Sequence, residues 1–151
     1  MPKLLSELFV QKSIRNYLLK RGYGENTENT GLRVHGVDIK VKHKKYGRYY
    51  LIEVKGDPSA DVISPEGSRN SCMNSALGQI ITRMHTQRKR SYKYGYKYGI
   101  GFPISFKERL FKKVPYDICD KLNLNLFFVN HKGEVEEYGY KELKKLQSKN
   151  G

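Results

Sequence analysis

The sequence predicts an α/β protein in which a mixed central β-sheet is flanked by helices. Some segments repeat apolar residues at three- and four-residue spacing, as amphipathic helices do, and shorter segments alternate or run apolar, as strands do. Their order is helix, two hairpin strands, helix, strand, helix, strand, strand and helix, which is typical of a layered sheet. A chain of 151 residues can build one hydrophobic core, so we predict a single domain over residues 1–151.

The first predicted element is a helix over residues 3–21, ended by Gly22 and Gly24. Glu7 lies near its start, where the helix dipole favours an acid. A role beside a metal is the other interpretation of Glu7, and Glu25 and Glu28 in the following polar segment are rivals for that role. A short strand is predicted at residues 32–34.

Two strand-like segments, residues 36–41 and 50–56, carry ionisable side chains inside apolar runs. Burying a carboxylate is costly unless something pairs with it. Glu53 and Lys55 are two residues apart and therefore share a strand face, and a hairpin through residues 44–48 would bring Asp38 alongside Glu53. Such a surface suits Mg²⁺, which takes oxygen ligands. The plainer interpretation of Asp38 is a strand-end acid or a turn cap.

The next segments are a predicted loop over residues 56–72 and a helix over residues 73–90. The loop follows Lys55 directly and is either a flap over the site or a surface excursion. On the helix, Gln79 and Arg83 are four apart and project together. If this face overlooks the hairpin, Gln79 orients a water or a phosphate and Arg83 binds a phosphate oxygen. Otherwise both are solvated helix residues.

Cations and tyrosines are interleaved at the end of this helix and beyond it. The helix ends in a basic cluster, Arg88, Lys89 and Arg90. Residues 92–99 then form a small repeat in which Tyr94 and Tyr96 would stack on bases while lysines meet phosphates. The competing interpretation is a strand with alternating tyrosines that continues into residues 100–103, and the two are compatible.

The last third of the chain predicts ordinary α/β elements. They are a helix over residues 106–122 broken at Pro115, a strand over 124–130, a turn at 131–133, an edge strand over 134–138 and a helix over 140–147.

Charge and composition narrow the function classes. The net charge is +14, with 29 basic and 15 acidic residues, and the basic residues gather around the two proposed acidic ligands. This distribution favours a polyanionic partner, the plainer alternative being a generally basic protein. The two cysteines predict neither a disulfide framework nor a zinc site. No apolar run approaches about 18 residues and the N-terminus lacks a signal-peptide core, so we expect a cytoplasmic or otherwise intracellular protein without a membrane span.

Asp38, followed after a hairpin by Glu53-Val54-Lys55, resembles the signature of the PD-(D/E)XK nuclease superfamily, whose fold is restriction-endonuclease-like. The resemblance covers roughly residues 3–103 and includes an acid on the first helix, Glu7, and a glutamine on the helix after the hairpin, Gln79. The first acid stands in Gly-Val-Asp and not in Pro-Asp, so the match is to a pattern.

The resemblance implies an Mg²⁺-dependent endonuclease that hydrolyses phosphodiester bonds in DNA and leaves a 5′-phosphate, with Mn²⁺ able to substitute. Asp38, Glu53 and the carbonyl of Val54 would hold the metal, Lys55 would act on the attacking water, and Glu7 and Gln79 would complete the catalytic set.

Three uses of such an activity stay open: a restriction enzyme, a structure-selective enzyme such as a Holliday-junction resolvase, and a repair or mobile-element nuclease. The substrate would be duplex or branched DNA, and a homodimer is expected because two strands are cut. The alternative class is a non-catalytic or RNA-directed nucleic-acid-binding module with the same fold.

Overall fold

A five-stranded mixed sheet lies at the centre of the protein, between helices on both faces, which confirms the predicted α/β class. The computed structural model describes residues 4–24, 38–59, 61, 63–86 and 96–149. The strands stand side by side in chain order: β1 (Ile39–Lys42), β2 (Tyr49–Val54), β3 (Tyr96–Pro103), β4 (Leu124–Val129) and β5 (Val135–Tyr138). The three central strands run parallel, and β1 and β5 pair antiparallel at either side.

The helices divide between the two faces of the sheet. One face is covered by α1 (Glu7–Leu19), and the other by α2 (Pro65–Thr86), α3 (Lys107–Lys113), α4 (Tyr116–Leu122) and α5 (Tyr140–Lys149), with a short 3-10 turn at Ile104–Phe106. Each face has its own apolar core, which is why the central strands are apolar almost throughout. No helix of the described residues is long and apolar enough to cross a membrane.

Alternation along β2 assigns its side chains to the two cores. Ile52 and Val54 pack in the core beneath α1, whereas Leu51 packs in the core beneath α2. Glu53 is two residues from Leu51, so its side chain points to the same face of the sheet, toward α2. The sheet thus directs the ionisable residues of the hairpin to one face, between β1 and α2.

Two predicted helix boundaries are corrected by the structure. The first helix begins at Glu7 and not at residue 3, because Ser6 is its N-cap and accepts a hydrogen bond from Phe9 N at 3.1 Å. The second helix begins at Pro65, eight residues before the predicted start, so the predicted loop over residues 56–72 is wrong in its second half. Ser64 Oγ accepts a hydrogen bond from Gly67 N at 3.1 Å, and proline is favoured at the first position of a helix.

The last third of the chain follows the prediction closely. Pro115 separates α3 from α4, Asn123 ends α4 in the left-handed conformation with φ of 55°, and β4 and β5 form the predicted antiparallel pair. The predicted short strand at residues 32–34, the basic cluster Arg88, Lys89 and Arg90, and Tyr94 lie outside the described residues.

A clasp of hydrogen bonds ties the start of α1 to the segment after β2. Leu5 N donates to Asp57 Oδ2 at 2.8 Å, and Asp57 N donates to Leu5 O at 2.8 Å. Asp57 Oδ1 also accepts a hydrogen bond from Ser105 Oγ at 2.6 Å. Gly56 makes this approach possible, because a Cβ at that position would overlap Glu7 N and lie 2.9 Å from the carbonyl carbon of Ser6.

We expect Gly56→Ala to destabilise the protein by about 1–3 kcal/mol, because backbone atoms of α1 must move to accommodate the added methyl group. Chemical denaturation monitored by circular dichroism measures the change. Gly78→Ala is the matched control, since a Cβ at Gly78 meets nothing within 4 Å and alanine is favoured inside a helix. Equal midpoints for the two variants would show that the clasp tolerates a side chain at position 56.

Candidate active site

Asp38, the residue before β1, lies opposite Glu53 of β2. The antiparallel register pairs Ile39 with Ile52, so the next pair toward the site is Asp38 with Glu53. Asp38 Oδ2 accepts a hydrogen bond from Val54 N at 2.8 Å, which fixes this carboxylate at the end of β2. Both residues are buried, with 9% and 3% of their surface exposed. The predicted approach of Asp38 to Glu53 is therefore confirmed.

Burial beside Asp38 changes the pKa of Glu53. Burial, the charge of Asp38 and a hydrogen bond with Asp38 together raise the pKa of Glu53 to about 7, against the opposing charges of Arg83 and Lys55. Glu53 therefore tends to retain its proton near neutral pH when no cation is bound beside it.

Arg83 faces Glu53 from α2. Its Nε lies 3.5 Å from Glu53 Oε1, and the contact is an ion pair without hydrogen-bond geometry. Glu53 Oε1 is buried and accepts no hydrogen bond from the described residues. A buried carboxylate oxygen in this condition is costly, and the site therefore has capacity for a further positive group.

Gln79 lies one turn before Arg83 on the same helix face, as predicted. Together with Ser75, Gly78 and Thr82 the two side chains line a shallow groove of about 380 Å³. Gln79 Oε1 is buried and takes no hydrogen bond from the described residues. Gln79 and Arg83 thus lie on the helix that overlooks the hairpin. Their predicted role at the site required this position.

Lys55 follows the last residue of β2 and shares the face of Glu53. Its backbone N donates to Gly101 O at 2.9 Å, which continues the parallel ladder with β3 for one more residue. Its side chain is half-buried, and its charge opposes the rise in the pKa of Glu53. The backbone of the Glu53-Val54-Lys55 motif is thus paired along its whole length with the central strand β3.

Glu7 is brought to this end of the sheet by the clasp between Leu5 and Asp57. It is the first residue of α1, half-exposed, and its backbone N packs against Gly56. Within the described residues no three His, Cys, Asp or Glu side chains converge on one metal position, so Glu7 does not form a three-acid cluster with Asp38 and Glu53 there. Glu25 and Glu28 lie outside the described residues.

Tyr96 corrects the predicted stacking surface. Only 7% of its surface is exposed, and its ring packs edge-on against Tyr49 with the centroids 5.4 Å apart. Tyr98 is buried on the same face with 6% exposed, so the alternation of tyrosine and lysine is that of a strand covered by helices. The proposed role of Tyr96 as a base platform is therefore wrong.

Two residues of α1 that the sequence analysis did not select hold the backbone of Asp38. Gln11 Nε2 donates to Asp38 O at 2.7 Å, and Arg15 donates to the same oxygen at 3.1 Å. Burial lowers the pKa of Arg15, and the charge of Asp38 opposes this. The only signal in the sequence is their spacing of four, which places them on one helix face.

A basic row follows Asp38 along β1 and was also missed. Lys40 and Lys42 are two and four residues from Asp38 and therefore share its face of the sheet. Their ammonium groups lie 5.2 and 5.6 Å from the ring centroid of Tyr49. The alternation in the sequence indicates that these side chains share a face. It does not show that a tyrosine of the next strand supports both of them.

Comparison with known proteins gives one structural similarity. No protein-family model matches the chain, and no curated protein matches its sequence. The fold is similar to the crystal structure of an XisH family protein from Nostoc punctiforme PCC 73102, with a TM-score of 0.51 and 12% sequence identity over 85% of this chain and 96% of that one. At this identity the similarity concerns the fold, a mixed sheet flanked by helices.

Proposed function

We propose that this protein is an Mg²⁺-dependent nuclease that hydrolyses phosphodiester bonds in DNA. The observation that carries the proposal is the buried pair Asp38 and Glu53, directly opposed on a hairpin, with Lys55 on the same face. The resemblance to the PD-(D/E)XK superfamily agrees with this arrangement in chain order and in strand context. No other pair of buried acidic side chains occurs among the described residues.

The donor set fits a hard divalent cation. Two carboxyl groups are held together at a cost that is visible in the raised pKa of Glu53, and a buried oxygen of Glu53 accepts no hydrogen bond from the described residues. Mg²⁺ prefers such oxygen ligands and keeps several waters. Asp38, Glu53 and the carbonyl of Val54 would hold the ion, with Mn²⁺ as a substitute. When bound, it would lower the pKa of a water and offset the charge that develops on the phosphate.

The remaining roles belong to side chains of this chain. Lys55, on the face of Glu53, positions the attacking water or neutralises charge on the phosphate. Arg83 is available to a phosphate oxygen once another positive group satisfies Glu53, and Gln79 orients the water or the phosphate from the groove on α2. Gln11 and Arg15 fix the backbone of Asp38 and therefore act as positioning residues.

The basic row on β1 extends the proposed site into a nucleic-acid interface. Lys40 and Lys42 are about 6.6 Å apart along the strand and begin two residues from Asp38. Cations at this spacing suit successive phosphates of a strand that leaves the site, and binding would weaken with salt. Cutting both strands of a duplex would take two such sites, so a homodimer belongs to the proposal.

We expect Asp38→Asn and Glu53→Gln to lower Mg²⁺-dependent cleavage by about 100- to 1000-fold while substrate binding is retained, because both changes remove charge from the metal ligands with little change of shape. The assay uses labelled linear duplex, plasmid, single strand, flap, four-way junction and RNA, each with and without Mg²⁺ or Mn²⁺.

Glu108→Gln, at an exposed position of α3, is the matched control and should cut as the unmodified protein does. Cleavage that persists in Glu53→Gln would remove the assigned site. Tight binding without cleavage of any substrate would favour the non-catalytic alternative, and cleavage of RNA alone would favour the RNA-directed one.

We expect Lys55→Gln to slow the single-turnover rate by about 100-fold with an unchanged affinity for Mg²⁺, because the lysine acts on the reacting groups and not on the metal. Rapid-quench kinetics and calorimetric metal titration measure the two quantities separately. Lys112→Gln, which removes the same charge from an exposed position on α3, is the control. A normal single-turnover rate in Lys55→Gln would exclude this role.

We expect the metal-free protein to lose stability as the pH rises from about 4.5 to about 7. Folded Glu53 keeps its proton up to about pH 7, whereas an ordinary glutamate releases it near 4.5, so the folded state binds more protons in this window. The loss amounts to up to about 3 kcal/mol, since one pKa unit is about 1.4 kcal/mol.

Urea denaturation in EDTA, compared with Glu53→Gln at each pH, isolates this effect from other titrating groups. The difference in unfolding free energy between the two proteins should change across the window and stay constant above it. Mg²⁺ added at pH 8 should stabilise the unmodified protein and not the variant. Parallel pH curves for the two proteins would contradict the assignment.

A further inference from the structure

A second pocket lies on the opposite face of the sheet from the carboxylate pair. It has a volume of about 480 Å³ and is bounded by the end of α1, the tip of the β1–β2 hairpin and the starts of β2 and β3. Tyr50 and Lys97, which are paired across β2 and β3, form part of its wall. Tyr50 faces α1 whereas Glu53 faces α2, so the two sites are separated by the sheet itself.

The charge of this pocket is strongly positive. Arg21, Arg48 and Lys97 line it, against one carboxylate, Glu137. That carboxylate is already engaged by neutral donors: Tyr17 Oη at 3.0 Å, Tyr50 Oη at 2.6 Å and Asn125 Nδ2 at 2.8 Å. These neutral donors hold Glu137 in the wall as a carboxylate, and the three cations still leave the pocket with a formal excess of two positive charges.

Lys97 is the half-buried cation of this pocket. Its ammonium lies 5.0 Å from the ring centroid of Tyr50, and none of the ion pairs between described residues includes it. Its side chain is half-buried, and burial lowers the pKa of Lys97 while the charge of Glu137 opposes this. An anion that enters the pocket would meet this ammonium on its wall.

The rim of the pocket carries an aromatic platform. Tyr46 is 56% exposed, and its ring rests on His43 with the centroids 4.8 Å apart. His43 is fixed in turn, because its Nδ1 accepts hydrogen bonds from Lys45 N at 3.1 Å and Tyr46 N at 3.2 Å and its ring meets Tyr23 edge-on. A tyrosine that is exposed yet held on a fixed ring is suited to stacking on a flat ligand.

We propose that this pocket binds a nucleoside phosphate, with the phosphate against Lys97 and Arg21 and the base against Tyr46. The combination of a cationic wall, an aromatic rim and a volume within the usual range for small-ligand sites fits an anion joined to a flat ring. The ligand is either a free nucleotide or the terminal nucleotide of a nucleic-acid strand. The proposal does not depend on catalysis at Asp38 and Glu53.

Isothermal titration calorimetry tests the proposal. The probes are the nucleoside monophosphates, the matching nucleosides, inorganic phosphate, and a tetranucleotide with and without a 5′-phosphate. We expect a nucleoside phosphate to bind at least about tenfold more tightly than its nucleoside or inorganic phosphate alone. Binding of free nucleotides identifies a small-molecule site, and binding of the phosphorylated tetranucleotide alone identifies a strand-end site.

Variants locate the binding. Lys97→Met should weaken nucleotide binding about tenfold or more, and Tyr46→Ala should weaken the nucleotide and leave inorganic phosphate unaffected. Tyr46 is exposed, so its variant keeps the test valid if Lys97→Met fails to fold. Lys112→Met, at an exposed position on α3, should bind as the unmodified protein does. The proposal is overturned if no probe binds, if Tyr46→Ala binds nucleotides normally, or if Lys97→Met folds and binds them normally.

Discussion

The arrangement of this protein depends on two acidic side chains that are forced together on one face of a sheet. Antiparallel pairing of β1 with β2 sets Asp38 opposite Glu53, and burial prevents water from separating their charges. Several elements contact this pair. The backbone N of Val54 donates to Asp38, Arg83 forms an ion pair with Glu53, and two side chains of α1 donate to the carbonyl of Asp38. Holding two buried carboxyl groups together costs stability, and this cost is the observation behind the proposed metal site.

The sequence predicts those parts of the fold that a short-range pattern determines. The hairpin follows from alternation on both sides of a turn, and Asp38 meets Glu53 because strand register is fixed by which residues are apolar. The break at Pro115 and the last helix follow from equally local rules. The start of α2 was also local, but the Ser64-Pro65 cap lay within a stretch whose glycine and serine content is typical of a loop.

The errors and omissions concern contacts between residues far apart in the chain. A tyrosine at position 96 suits both a surface that stacks on bases and a strand that is covered by helices. Only the packing of helices on that face decides between these two roles of Tyr96. Gln11 and Arg15 reach Asp38 across more than twenty residues, and Asp57 reaches Leu5 across about fifty. No spacing rule within one element reports such contacts.

The clasp between Leu5 and Asp57 has a practical consequence for handling the protein. Both backbone groups of Leu5 are bonded to Asp57, two positions beyond Lys55, so the start of α1 and the segment after the motif are held together. A fluorophore attached at Ser6, next to Leu5, would therefore strain these bonds and with them the segment that follows Lys55. The last helix lies against α3, α4 and β5, at the opposite edge of the sheet from β1, and an exposed residue on it is therefore the better point of attachment.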